Sequence, residues 1–260
     1  MYKKNIWHTC DADKKSKIMK FNDKYMEFLS NGKTERECVK ESVALAEVQG
    51  FKPLDAYESL KSGDKVYVVN KNKNIALFII GKKPLTEGLR ILGAHIDSPR
   101  IDVKQNPLYE KDGFALLDTH YYGGIKKYQW VTIPLALHGV ICKKDGTTEV
   151  VNIGESDKDP IFGIGDLLPH LAADQITKPA TKVIEGEDLD VTVGSMPLKE
   201  KDKFSVKANI LNILKKKYNM EEEDFVSSEI EIVPAGKARS YGLDSSMVAS
   251  YGQDDRVCAY

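Results

Sequence analysis

The hydrophobic pattern of the first fifty residues restricts the fold most, because its period is that of helices. Between residues 14 and 30, apolar side chains recur at spacings of three and four, which is typical of an amphipathic helix. A second helix is predicted to start at Thr34, since Thr34 and Glu37 have the spacing of a capping box. Two amphipathic helices therefore open the chain.

The pattern then changes to runs of strand length. Val66–Val69 and Ile75–Ile80 are rich in β-forming residues and flank a polar stretch, which predicts a hairpin. A third apolar run, Leu89–Ala94, is predicted to be a strand that leads into a histidine. Helices followed by several strands predict an α/β fold with a mixed sheet.

The character of the sequence changes again after about residue 104. A Gly- and Tyr-rich stretch is followed by segments that resemble strands and one helix. These are strands at Leu135–Cys142, Val150–Ile153 and Glu229–Val233, and a helix at Ser205–Asn219. We interpret residues 105–235 as a β-rich module inserted into the first one. The chain is thus divided into domain segments 1–104, 105–235 and 236–260.

Composition excludes several classes of function. Apolar residues make up 42% of the chain, which is enough for a core, and the formal net charge is -1. Such a balance argues against nucleic acid or an anionic membrane as the main partner, because both require a basic excess. The longest apolar run, Ile75–Ile80, is too short to cross a bilayer.

The cysteines indicate a cytoplasmic protein. Cys10, Cys38, Cys142 and Cys258 are widely spaced and form no C-x-x-C pair, so a thiolate zinc site is not expected. We interpret them as reduced thiols, which are typical of the cytoplasm.

His95 is the first candidate for chemistry. It follows the apolar run Leu89–Ala94, and open α/β sheets place their sites at the carboxyl ends of strands. Asp97, two residues later, could accept the ring N–H that faces away from a metal and so fix the tautomer. The alternative is a structural histidine, hydrogen-bonded at the end of a strand.

Asp254 and Asp255 form the second candidate. Adjacent carboxylates before a helix suit divalent cations, and one carboxylate can bridge two of them. The alternative is an N-cap, where Asp is favoured.

The other histidines differ in context. His138 lies in an apolar run and is predicted to be a core residue, while His8 is predicted to be exposed. His120 and His170 lie among Gly, Pro and aromatic residues, which is compatible with a site.

Four blocks together resemble the M18 family of metalloaminopeptidases, the aspartyl aminopeptidase family, in its bacterial branch. The blocks follow the order of the family and cover essentially the whole chain. They are Gly93–Lys104, His120–Trp130, Asp166–Gln175 and Tyr251–Tyr260.

The resemblance implies an α/β catalytic domain with two zinc ions per site and an inserted β-rich dimerisation domain. His95 would bind one metal, Asp97 would orient the site and Asp255 would bridge both metals. His170 would reach the active site of a neighbouring subunit. The implied activity is removal of N-terminal, possibly acidic, residues from peptides by a homo-oligomer in which dimers build a dodecamer.

The resemblance also implies that part of the site is missing from these 260 residues. In the family, the general-base Glu and the remaining metal ligands should lie beyond residue 260, and the chain stops within a helix-like pattern. We therefore expect a truncated chain that is inactive alone. The alternative is a non-catalytic fragment that serves assembly or dimerisation.

Overall fold

The computed structural model describes residues 5–200 and 203–260, and the elements follow in chain order. The α-helices are α1 (Ala12–Asn31), α2 (Glu35–Val48), α3 (Val206–Tyr218) and α4 (Gln253–Arg256). The strands are β1 (Lys52–Pro53), β2 (Lys65–Asn70), β3 (Asn74–Ile79), β4 (Arg100–Lys111), β5 (Phe114–Tyr122), β6 (Leu135–Cys142), β7 (Thr148–Ile153), β8 (Val191–Gly194), β9 (Leu198–Glu200), β10 (Lys203–Ser205), β11 (Ser228–Pro234), β12 (Arg239–Tyr241) and β13 (Met247–Ala249).

The chain folds into two compact units. Unit 1 comprises Met1–Ser98 and Lys237–Tyr260, and unit 2 comprises Pro99–Gly236. The first change of unit comes earlier than residue 104, because β4 already begins at Arg100 and belongs to the sheet of unit 2. The assignment of a catalytic and a dimerisation domain to the segments 1–104, 105–235 and 236–260 stays a prediction.

Both predicted N-terminal helices are confirmed in unit 1. Asp11 caps α1, since its Oδ1 accepts a hydrogen bond from the backbone N–H of Lys14 at 2.8 Å. The capping box of α2 is also present: Thr34 Oγ1 accepts from Glu37 N at 3.3 Å, and Glu37 Oε2 accepts from Thr34 N at 3.1 Å. Two of the orphan backbone donors at this end of the helix are thereby satisfied.

Unit 1 contains the predicted mixed sheet and hairpin. Strand β2 lies between β1, which runs parallel to it, and β3, which is antiparallel. The hairpin turn places Lys71 and Asn72 at positive φ, with values of 51° and 56°. Strands β12 and β13 form a separate antiparallel pair. Among the described residues, no helix is long and apolar enough to cross a membrane.

The prediction of a strand at Leu89–Ala94 is wrong in this structure. Residues 88–99 have no regular secondary structure, and Leu92 is 101% exposed. A strand requires a neighbour to pair with its backbone, and within residues 5–200 and 203–260 no strand pairs with this segment. His95 therefore lies on an irregular segment rather than at the end of a strand.

Unit 2 is built on a six-stranded antiparallel sheet with the order β7-β6-β11-β4-β5-β8. The predicted strands β6, β7 and β11 and the predicted helix α3 are confirmed. The strands supply an apolar core that includes Ile101, Leu135, Ile141 and Ile232, all with 0% exposure.

The sequence reading missed the hairpin of β4 and β5. Its turn is Asp112-Gly113, and both residues have positive φ, at 51° and 81°. Such Asp-Gly pairs favour the tight turns of hairpins. The signal was therefore present, but the Gly- and Tyr-rich composition around it obscured the strand pattern.

A polar row crosses this sheet beside the core. In register, Glu231 of β11 faces Asp102 of β4 on one side and His138 of β6 on the other. Arg100 Nε lies 2.8 Å from Asp102 Oδ1 and 3.2 Å from Glu231 Oε2, and the Arg100 guanidinium stacks on an aromatic ring of β5. The buried charges are thus paired, as burial requires.

We predict that Thr34→Ala destabilises the chain by about 1 kcal/mol, because the α2 cap loses its side-chain acceptor. Thr34→Ser is the matched control, since it keeps the hydroxyl and should remain close to wild type. Urea unfolding of the three proteins measures the difference. Equal midpoints for Thr34→Ala and Thr34→Ser would show that the cap contributes nothing.

Candidate metal centre

His95 is oriented by Asp97. The His95 Nδ1 atom lies 3.1 Å from the Asp97 carbonyl oxygen and 3.2 Å from Asp97 Oδ1. Both oxygens are acceptors, so Nδ1 is the nitrogen that carries the hydrogen. This tautomer leaves the lone pair of Nε2 for a metal ion.

The carboxylates of Asp97 and Asp255 both affect the pKa of the His95 imidazole. Desolvation lowers the pKa of the His95 imidazole, but hydrogen bonds to Asp97 and the charges of Asp97 and Asp255 together raise it above its ordinary value. The charge of Asp255 thus acts on the ring from a distant part of the sequence. Unit 1 therefore contains His95, Asp97 and Asp255, and the hydrogen bond between His95 and Asp97 is the contact among them.

Asp255 lies within the short helix α4, after a sharp turn. The N-cap is Gly252, with φ of 64°, and no side chain caps the helix. Neither Asp254 nor Asp255 is the N-cap, so the capping alternative does not account for the pair. Asp254 is exposed, whereas Asp255 is half-buried.

Arg256, the next residue, is completely buried, with 0% exposure. Its guanidinium donates to the backbone carbonyls of Leu29, Gly32, Tyr251 and Gly252. No motif indicated this role, because the acceptors are backbone atoms. Arg100, by contrast, does pair with Asp102.

His170 lies in unit 2, on the single 3-10 turn Pro169–Leu171. The ring is exposed, and the neighbouring Leu168 and Leu171 are exposed by 59% and 65%.

The three remaining histidines differ in their exposure to solvent. His138 is buried, and its Nε2 lies 3.0 Å from Glu155 Oε1, which confirms the predicted core residue. His8 is exposed, as predicted. His120 is exposed and stacks on Tyr121, with ring centroids 5.6 Å apart.

The cysteines bear out their interpretation as free thiols. Burial raises the pKa of the Cys38 thiol to about 12, against the opposing effect of the nearby Arg256 charge. That thiol donates to the Gly32 carbonyl at 3.1 Å and is therefore unreactive at neutral pH.

The donors present fit part of a zinc site. Imidazole nitrogen and carboxylate oxygen are both ligands that zinc accepts. In the described parts of the chain, however, no group of three or more His, Cys, Asp or Glu side chains is arranged to hold a metal ion. His95 and Asp255 alone leave a zinc ion short of ligands.

Comparisons with known proteins define the class. Residues 28–260 match the sequence profile of a family described as aminopeptidase I zinc metalloproteases. The chain belongs to this family, M18.

The relatives are similar along the entire chain. A probable M18 family aminopeptidase 1 from Clostridium acetobutylicum is 58% identical over 99% of the chain and 56% of its own length. The counterpart from Thermotoga maritima is 48% identical over 100% of the chain and 56% of its own length. The chain thus spans little more than half the length of the curated relatives it matches.

Solved structures of M18 family members are also similar to this chain. The M18 aminopeptidase from Thermotoga maritima has a TM-score of 0.91 at 46% identity, covering 100% of this chain and 56% of that one. Aminopeptidase I from Clostridium acetobutylicum has a TM-score of 0.87 at 56% identity, covering 100% and 59%. These matches support the α/β fold with mixed and antiparallel sheets.

Proposed function

We propose that the chain forms part of a zinc aminopeptidase with two metal ions per active site. The observation that carries the proposal is the hydrogen bond between His95 and Asp97 in unit 1, which also contains Asp255, in a chain that belongs to the M18 zinc metalloproteases. In this proposal His95 would be a ligand of one ion, and Asp255 would be a ligand shared by both.

Zinc bound there would lower the pKa of a coordinated water towards neutrality, which makes it a nucleophile for a peptide carbonyl. The residues of this chain prepare that chemistry. Asp97 accepts the Nδ1 hydrogen of His95 and so leaves the lone pair of Nε2 for a metal. The negative charge of Asp255 acts on the ring and would favour cations there.

We propose that residues 1–260 are inactive alone. A dinuclear site requires about five or six protein ligands, and His95 and Asp255 supply two of them. We place the general-base Glu and the other ligands in the part of the relatives' sequences that this chain does not span. The free cysteines support a cytoplasmic setting.

The first test compares the 260-residue chain with the full-length protein. We expect hydrolysis of aminoacyl-anilide substrates and bound zinc in the full-length protein, and no hydrolysis by the shorter chain. Acidic and neutral anilides in the same panel test the preference for acidic N-terminal residues. Activity of the shorter chain would contradict the inactivity; an inactive, zinc-free full-length protein would favour an assembly fragment.

The second test concerns the metal residues, in the full-length protein. His95→Ala and Asp255→Ala should abolish activity and lower zinc content, with Asp255→Ala losing more, because Asp255 would contact both ions. Asp97→Asn should retain part of the zinc and lose activity by roughly 10–100-fold.

Asp254→Asn is the matched control for Asp255, because the neighbouring carboxylate is exposed and should be dispensable. Zinc content by elemental analysis and turnover are measured on each variant. Full zinc in Asp255→Ala, with loss in Asp254→Asn, would transfer the ligand role to Asp254.

We also propose that His170 completes the site of a neighbouring subunit in a homo-oligomer. The imidazole and the flanking leucines are exposed in unit 2, where a second copy could cover them. There the imidazole could hydrogen-bond the substrate or stabilise an oxyanion. One solved structure with the same fold, at 19% identity, is described as the mApe1 dodecamer, and dimers of this chain would build a similar assembly.

The third test is complementation between full-length subunits. His170→Phe is mixed with His95→Ala, and subunit exchange is verified by mass labelling. In a mixed dimer, one site would combine intact metal ligands with an intact His170 from the other subunit, so part of the wild-type activity should return. If labelled subunits exchange and activity stays absent, His170 does not act in trans.

A further inference from the structure

The Arg256 guanidinium is a buried charge that links two distant segments. Its Nη1 donates to the carbonyl of Leu29 at 3.1 Å and to that of Gly32, both at the end of α1. Its Nε donates to the Gly252 carbonyl at 2.9 Å, and Nη2 donates to the Tyr251 carbonyl. One side chain thus holds the end of α1 against the turn that leads into α4.

The chemistry of the helix-end carbonyls and of the arginine side chain explains this contact. The last carbonyls of a helix have no partner within the helix and carry partial negative charge, so a cation there is favourable. Arginine has five donors in a planar fork and stays charged when buried, whereas lysine has a single ammonium group. Arg256 can therefore satisfy carbonyls of both segments at once.

Gly252 is the point where this turn also touches the segment of His95. A Cβ atom at Gly252 would lie 2.4 Å from Arg256 Nη2 and 2.5 Å from Ser98 Oγ. Ser98 is 3% exposed and directly follows Asp97. The close approach of the two segments thus depends on the absence of a side chain at Gly252.

We propose that Arg256 is a positioning residue, which holds the turn at Gly252 against Ser98 and so fixes the placement of the adjacent Asp255 relative to His95. The inference rests on the proposed function of this site. Loss of the guanidinium would leave both ligands in the chain but release their relative placement. Metal affinity should then fall by roughly 10–100-fold, as for other residues that orient ligands.

The experiment uses Arg256→Met and Arg256→Lys in the full-length protein. Zinc dissociation constants are measured by competition with a chelator, and melting temperatures are measured on the metal-free proteins. Val66→Ala is the stability control, because Val66 is buried in β2 of the same unit, away from the turn. We expect Arg256→Met and Val66→Ala both to have lower melting temperatures than wild type. Only Arg256→Met should bind zinc at least 10-fold more weakly, and Arg256→Lys should recover part of the lost zinc affinity.

A substitution at Gly252 perturbs the contact between the turn and the Arg256 guanidinium without altering Arg256, and a substitution at Gly50 serves as its control. Gly252→Ala would displace the guanidinium, whereas Gly50→Ala has comparable backbone strain, at φ of 85°, with no atom within 4 Å of the new Cβ. Gly252→Ala should weaken zinc binding, and Gly50→Ala should not.

The outcomes separate the two proposals. If wild type binds zinc and Arg256→Met and Gly252→Ala bind it equally well, the positioning role is wrong and the aminopeptidase proposal stands. If wild type binds no zinc, the proposed function fails, and the role of Arg256 fails with it.

Discussion

The buried guanidinium of Arg256 is the interaction on which unit 1 depends. A charge removed from water is costly unless its donors are satisfied, and here backbone carbonyls at the end of α1 and in the turn before α4 accept them. Aromatic packing adds to the same contact, since the Tyr260 ring lies 5.2 Å from those of Tyr25 and Phe28. The two segments of unit 1 are therefore joined by a polar and an apolar contact.

This arrangement matters for the site because its residues lie on segments with little regular structure. His95 and Asp97 belong to an irregular stretch, and Asp255 belongs to a four-residue helix. The hydrogen bond from His95 to Asp97 orients the ring within its own segment, but neither segment has a regular backbone ladder that fixes its position relative to the other. Their geometry has to come from the surroundings, and the close packing of Ser98, Gly252 and Arg256 supplies it.

Local signals in the sequence were sufficient for much of the fold. The capping box marks the start of α2 because its two residues, Thr34 and Glu37, are only three positions apart and are therefore visible in the sequence. The β-rich runs mark β2, β3, β6 and β11. Leu89–Ala94 shows the limit of such signals. Its composition favours a strand, but a strand forms only where another strand offers backbone partners, and composition does not reveal whether one is present.

The helices, most strands, the family blocks and the candidates His95, Asp97 and Asp255 could all be predicted from the amino-acid sequence, because each belongs to a pattern of residues close together in the chain. The bonds from Arg256 to carbonyls at the end of α1 follow from the three-dimensional fold. So does the pairing of Glu231 with Arg100 across neighbouring strands. The physical reason is that these contacts join residues far apart in sequence, and several involve backbone atoms, which are the same in every residue and leave no pattern to read.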